Sequence, residues 1–293
     1  MTPSTAKNTN SYFKMIIIHA QKRYAVLAAL CIVYIASCVD GDKKIESNDS
    51  VSDKKTQLIS YGVVNSIPHD TIAFTEGLCW YNGKLYESTG SPDELPQTKS
   101  YWGIINTANG KIENRHELDR SIFFGEGITI LHDRLFQLTY KNRKGFVYDL
   151  QSMKKIGEFG FYNEEGWGLT TDGQYLIMSD GTSNITYMDP KTYKPLKNLP
   201  VTENGNPVDQ LNELEYIDGW LFANVYGTNC IVKINPETGV IAGKMDLWQL
   251  AKMAKDEYPR TLEMNGIAYN PGSKTLFVTG KMWPRIFEVK LNQ

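Results

Sequence analysis

Two glutamates occupy matching settings in the chain, Thr75-Glu76-Gly77-Leu78 and Gly125-Glu126-Gly127-Ile128. Three more segments repeat the pattern with a different residue at the same place: Trp167 before Gly168-Leu169, Asn212 before Glu213-Leu214, and Asn265 before Gly266-Ile267. A fold that brings these positions to one mouth gathers two carboxyls, an indole and two amides. Two acids in a confined space raise at least one pKa toward the range useful for proton transfer. The indole offers a flat apolar wall for a small side chain or a cation. The same groups could equally satisfy one another across a narrow channel, or hold a structural calcium ion there. Other chemistries lack their residues: there is no Gly-rich phosphate loop, no serine in a nucleophile elbow and no histidine pair at metal spacing, since His19, His69, His116 and His132 are scattered. No metal site is therefore read from the sequence.

The elements that must position these residues follow from the same repeats. After each of the five positions comes a short apolar strand, a turn and a second apolar strand, the turns being Asn82-Gly83, His132-Asp133, Asp172-Gly173, Asp218-Gly219 and Pro271-Gly272. Asn-Gly and Asp-Gly between apolar runs supply the positive φ of a tight hairpin. Leu78, Ile128, Leu169, Leu214 and Ile267 follow one another at intervals of 50, 41, 45 and 53 residues. Third strands such as Gly145–Asp149 and Cys230–Ile234 follow, each with a weaker fourth. Four strands per unit of this length is the period of a β-propeller blade. The reading is all-β, a five-bladed propeller. Its last blade ends on a third strand at Arg285–Val289, and the strand near residues 58–64 closes the ring by supplying the fourth. One inserted surface helix is expected over 246–257, where Leu247, Leu250, Ala251 and Ala254 have helical spacing after Asp246.

Composition agrees. Of 293 residues, 41% are hydrophobic, enough for a core, and 31 basic against 33 acidic groups give no basic field for nucleic acid. Lys22 and Arg23 precede an apolar run, Tyr24–Ala36, of the length of a signal segment and too short to span a bilayer comfortably. The run ends in Ile35-Ala36-Ser37-Cys38, which resembles a lipobox. Residues 1–37 then form a lipoprotein signal peptide, with Met15 an alternative start, and Cys38 is the lipidation site. Residues 38–57 form a polar tether and 58–293 the propeller. The expected product is exported, lipid-anchored in a bacterial envelope, and monomeric. Cys31 leaves with the signal, and Cys79 and Cys230 are expected as buried free thiols, although they could pair in an oxidising compartment.

Six strings carry a closer resemblance: Ala73-Phe74-Thr75-Glu76-Gly77-Leu78, Phe124-Gly125-Glu126-Gly127, Gly166-Trp167-Gly168-Leu169-Thr170-Thr171-Asp172-Gly173, Leu211-Asn212-Glu213-Leu214-Glu215-Tyr216, Met264-Asn265-Gly266-Ile267-Ala268 and Val278-Thr279-Gly280-Lys281-Met282-Trp283-Pro284. Together they resemble the plant-type glutaminyl-peptide cyclotransferases, in their bacterial branch, from about Ile59 to the C-terminus. The resemblance implies a five-bladed propeller that closes N-terminal Gln of peptides or proteins to pyroglutamate and releases ammonia, with no required cofactor. It implies Glu126 as the proton shuttle, Trp167 as the substrate-binding indole, Asn212 as an amide ligand, Lys281 as the basic pocket residue, and Phe74 and Phe124 as walls. Glu76 stands where the plant members carry Gln, and Tyr140 and Tyr226 where they carry Trp. Two other classes stay open: a non-catalytic binding propeller on the envelope, and a six-bladed, calcium-dependent lactonase-like hydrolase.

Overall fold

The computed structural model describes residues 56–292. The signal segment, Met15, Cys31, Cys38 and nearly all of the tether lie outside the described residues. The chain enters through β1 (Gln57–Leu58) and β2 (Tyr61–Pro68) and then builds four consecutive antiparallel sheets. The first holds β3 (Phe74–Tyr81), β4 (Lys84–Gly90), β5 (Tyr101–Ile105) and β6 (Ile112–Glu117). The second holds β7 (Gly125–Leu131), β8 (Arg134–Thr139), β9 (Lys144–Asp149) and β10 (Lys154–Gly160). The third holds β11 (Leu169–Thr171), β12 (Leu176–Met178), β13 (Asn184–Met188) and β14 (Pro195–Pro200). After a small hairpin of β15 (Thr202–Glu203) and β16 (Asn206–Pro207) comes the fourth, of β17 (Leu211–Ile217), β18 (Trp220–Val225), β19 (Cys230–Ile234) and β20 (Ile241–Asp246). Helix α1 (Trp248–Glu257) precedes β21 (Met264–Asn270), β22 (Thr275–Gly280) and β23 (Arg285–Leu291).

The fifth sheet is completed by the N-terminal strand: β2 runs antiparallel to β23, from Tyr61 opposite Leu291 to Pro68 opposite Arg285. The inner strands touch in the closed order β3, β7, β11, β17, β21 and back to β3. This is a five-bladed propeller whose last blade takes its outer strand from the other end of the chain. The entering segment is not one strand, however. Gln57 and Leu58 lie parallel to β20, opposite Gly243 and Lys244, on the outer edge of the fourth blade, and only from Tyr61 does the chain belong to the fifth. Residues 57–68 thus stitch two blades together.

Hydrophobic packing lies between blades. Five apolar clusters fill five seams; one pairs Leu214, Leu221 and Val232 of the fourth blade with Ile177 and Ile185 of the third. Another pairs Leu78 and Leu85 with Phe277 and Ile286 across the closing seam. Each fully buried Leu, Ile or Phe contributes roughly 1.5–3 kcal/mol, and neither blade at a seam buries these faces alone. In α1, Leu250 and Ala254 are buried against the seam of the fourth and fifth blades. The helix starts two residues later than expected, with Leu247 rather than Asp246 at its N-cap position; Asp246 stands just before it and accepts the Trp248 N–H at 2.9 Å.

Turn chemistry varies with the hairpin. Asn82-Gly83 and Asp218-Gly219 take positive φ at both residues, as read from sequence, and so do His132 and Asp133 without any glycine. In the fifth blade neither Pro271 nor Gly272 has positive φ, and Lys274 takes it instead. Cys79 is buried, whereas Cys230, expected to be buried too, is only half-buried at the start of β19; both thiols are free.

Candidate active site

The five repeat positions meet because four inner strands carry a β-bulge there. Strand register slips between Thr75 and Gly77, Gly125 and Ile128, Leu211 and Leu214, and Met264 and Ile267. A bulge re-aims a side chain and frees backbone N–H groups from the ladder. Neighbouring blades take these up. The Gly127 N–H donates to the Trp167 carbonyl at 2.8 Å, and the Gly266 N–H to Asn224 Oδ1 at 3.0 Å. Glu213 accepts from the Leu78 N–H at 3.2 Å and from the Ile267 N–H at 2.8 Å, bolting the first, fourth and fifth blades. The flanking glycines are the contact surfaces of the ring. A Cβ on Gly168 would lie 2.2 Å from the Asn212 carbonyl oxygen, and one on Gly127 2.5 Å from the Leu169 nitrogen.

Over this ring opens a cavity of about 210 Å³ lined by Phe74, Glu76, Phe124, Glu126, Tyr140, Trp167, Asn212, Tyr226 and Lys281. All nine were singled out from the sequence. The tenth, Asn265, is not in the lining: it is fully buried behind Glu76, donating from Nδ2 to Glu76 Oε2 at 3.0 Å and to the Thr75 carbonyl at 3.2 Å. Its amide supports a wall residue. Wider hollows of about 500 and 620 Å³ lie on the flanks of the propeller, but neither brings buried carboxyls together.

Charge in the cavity is arranged asymmetrically. Glu76 and Lys281 form a buried ion pair, with Nζ donating to Oε1 at 2.8 Å. The Lys281 ammonium also lies 4.5 Å from the Phe74 ring centroid and 5.2 Å from that of Tyr226. Burial pushes the Glu76 carboxyl up to about 7, against the opposing pull of Lys281. Burial would lower the Lys281 ammonium, yet the charges of Glu76 and Glu126 hold it above its ordinary value. Glu126 differs from its counterpart. It is 5% exposed and has no hydrogen bond or ion pair among the described residues. Its carboxyl is pushed well above the usual range, first by burial and then by the charge of Glu76, with Glu165 adding to the rise and Lys281 opposing it. A buried acid without partners, facing a cavity, keeps free capacity to hydrogen-bond a ligand and to exchange a proton with it. Asn212, 3% exposed, likewise leaves its Oδ1 unpartnered.

Aromatic rings make the walls. Phe74 and Phe124 meet edge to face with centroids 6.0 Å apart, Phe124 lies 5.8 Å from Tyr140, and Trp167 stands 5.7 Å from Tyr226.

The family model described as glutamine cyclotransferase matches residues 32–291. The chain belongs to the glutamine cyclotransferase family. It is 39% identical over 250 residues to the glutaminyl-peptide cyclotransferase of Arabidopsis thaliana, covering 85% of this chain and 76% of that protein. The crystal structure of Myxococcus xanthus glutaminyl cyclase superposes with a TM-score of 0.74 at 30% identity, over 81% of this chain and 99% of that one. As a glutamine cyclotransferase with five blades, the chain leaves the six-bladed hydrolase reading behind.

Two features of this glutamine cyclotransferase were not read from sequence. Glu165 accepts the indole N–H of Trp167 at 2.9 Å and pairs with Lys141 at 3.3 Å. His69 is buried with Nε2 2.8 Å from Glu87 Oε1 and Nδ1 2.8 Å from the Trp283 carbonyl, fastening the loop of Lys281 to the first blade. Burial would lower the imidazole, but Glu87 and these hydrogen bonds hold its pKa up. Neither residue lies at a repeat position, so no periodicity marks it.

Proposed function

We propose that the protein converts N-terminal glutamine of peptides or proteins to pyroglutamate with release of ammonia, and that Glu126 shuttles the proton. The observation that supports this most directly is Glu126 itself, a buried, unpaired carboxyl of raised pKa facing a cavity of about 210 Å³. A cavity of that size takes one small side chain and its α-amine, with the rest of a peptide outside it. A substrate arrives as an ammonium and Glu126 accepts a proton from it, leaving a neutral amine. That nitrogen attacks the side-chain amide carbon. Glu126 returns the proton to the departing amide nitrogen and takes one from the attacking nitrogen; the C–N bond to the leaving group breaks and ammonia departs with the lactam closed. Nothing is oxidised or reduced. A group of raised pKa suits both directions of transfer.

The remaining residues supply binding. Trp167 and the two tyrosines enclose the aliphatic part of the substrate, Asn212 offers its free amide oxygen to a substrate N–H, and Lys281 faces the oxygen that gains charge as the carbon becomes tetrahedral. Attack at carbon, C–N cleavage and the accompanying proton transfers can all be run by these side chains, so we assign no required metal or organic cofactor; we also treat the enzyme as a monomer. Incubating the protein with a Gln-initiated dipeptide should release ammonia, with and without chelator. A protein that releases none from any such peptide is the binding propeller instead.

The exported, envelope-anchored location belongs to the same proposal, resting on the apolar run before Cys38. A Cys38→Ala variant should lose incorporated lipid and run as unprocessed precursor; unchanged labelling would sink the assignment.

A further inference from the structure

Trp167 enters the cavity from a position that needs bracing. It lies just before the short strand β11, between two glycines that give it no side-chain neighbours along the chain. On one side the ring rests on Gly181, whose added Cβ would lie 2.6 Å from Cζ2, and it meets Tyr226 edge to face. These are packing contacts with no preferred direction. Among the described residues the ring's one hydrogen bond is from its Nε1–H, which donates to Glu165 Oε2 at 2.9 Å.

The acceptor is itself held by Lys141. The other Glu165 oxygen lies 3.3 Å from the Lys141 ammonium on the loop of the second blade, and that ammonium also covers the Tyr140 ring at 4.6 Å from its centroid. A string Tyr140–Lys141–Glu165–Trp167 therefore runs along the rim of the cavity and ties a wall of the second blade to a wall of the third. The loop bearing Glu165 has separate fastenings of its own. The Gly166 N–H donates to the Tyr140 carbonyl at 2.8 Å, the Phe161 N–H to the Arg143 carbonyl at 3.2 Å, and Asn163 Nδ2 to Asp180 Oδ2 at 2.8 Å. Its carboxylate is thus free of the task of holding the loop.

We infer that Glu165 is a positioning residue of the active site, anchoring the Trp167 indole by its N–H so that the substrate meets a wall of set orientation. The inference rests on the reading of Trp167 as a substrate-binding wall. An anchored wall costs less ordering on binding than a rotating one, so the anchor acts on affinity; the charge by which Glu165 adds to the rise of the Glu126 pKa is a separate effect, lost alike in Glu165→Ala and Glu165→Gln.

Kinetics on a Gln-initiated dipeptide separate this from a merely structural role. Measured at a pH above the acidic limb of the profile, losing a charge-assisted hydrogen bond at one remove from the substrate should raise KM about tenfold in Glu165→Ala, with kcat within about twofold. Glu165→Gln retains an acceptor oxygen and should bring KM back to within about threefold of the unaltered enzyme. In a Trp167→Phe background, which keeps a ring but removes the donor, Glu165→Ala should add nothing. Equal losses in the Ala and Gln variants, full additivity in the double variant, or an unmoved KM would each overturn the proposal. A second readout needs no turnover. Among the six tryptophan indole N–H signals of ¹⁵N-labelled protein, the one that disappears in Trp167→Phe should move in Glu165→Ala while the other five stay. If the unaltered protein cyclises no peptide, the cyclase reading fails; an indole signal unmoved in Glu165→Ala overturns the anchor itself.

Discussion

Glu76 and Glu126 begin as near copies in sequence and end as opposites in environment. One is matched to Lys281 and Asn265, the other is left without a partner. The unpaired acid has spare hydrogen-bonding capacity for substrate, which is why the proton chemistry is assigned to it. Glu126→Gln keeps size and polarity but cannot carry a proton, so kcat should fall by about 100–10,000-fold with the fold intact. Full activity in that variant rejects the assignment. Glu76 acts on the same proton from a distance, since its charge raises the Glu126 pKa. Replacing Glu76 by Gln removes that charge and lets the Glu126 pKa fall. The acidic limb of the kcat/KM profile should therefore move to lower pH, with measurable activity retained. A limb that stays put means the two acids do not interact.

At the scale of the element, the bulged inner strand does the positioning. A regular strand would bury its alternate residues between blades and leave nothing turned to the mouth; the bulge turns one side chain inward and frees an N–H that must find an acceptor elsewhere. Glu213 meets that need for Leu78 and Ile267. Glu213→Ala should leave two buried donors without partners and cost about 2–5 kcal/mol, lowering Tm by roughly 5–15 °C. A calorimetric Tm within a degree or two of the unaltered protein would show that these N–H groups have another acceptor.

For the whole molecule, burying acids around a closed ring has a consequence in pH. The carboxyls of Glu76, Glu126 and Glu213 are all raised chiefly by burial, Glu76 to about 7 from an ordinary 4.5. Between those two values the folded protein binds more protons than the unfolded chain, so stability falls as pH rises across the window, with Glu126 and Glu213 acting in the same direction. For Glu76 alone the change is on the order of 3 kcal/mol. His69, raised in the fold, adds in the same direction, because its contribution is present below pH 6.5 and fades as pH climbs through its folded value. Thermal unfolding should give a higher Tm near pH 5 than near pH 8; a Tm that rises over this interval contradicts the burial of these groups as charged-state penalties.

The blade count, the ring closure and four of the nine cavity residues, Glu76, Glu126, Trp167 and Asn212, were legible in the repeats, because a propeller writes its period into the chain and places equivalent residues at equivalent points around one axis; Phe74, Phe124, Tyr140, Tyr226 and Lys281 were named by the family resemblance. The Asn-Gly and Asp-Gly turns and the apolar runs are local signals and needed no partner to be read. What lay beyond them depends on neighbours distant in sequence. Asn265 left the lining because Glu76, 189 residues away, takes its amide hydrogen, and Glu126 became the free acid because Lys281, 205 residues from Glu76, chose the other. The entering segment divided between two blades because edges in both stood open to it. Residue type and spacing determined which positions converge on this channel; only the closed ring decided which of them reach its mouth, which pair with one another and which remain available to a substrate, since pairing is settled by distance and burial across blades that the sequence lists far apart.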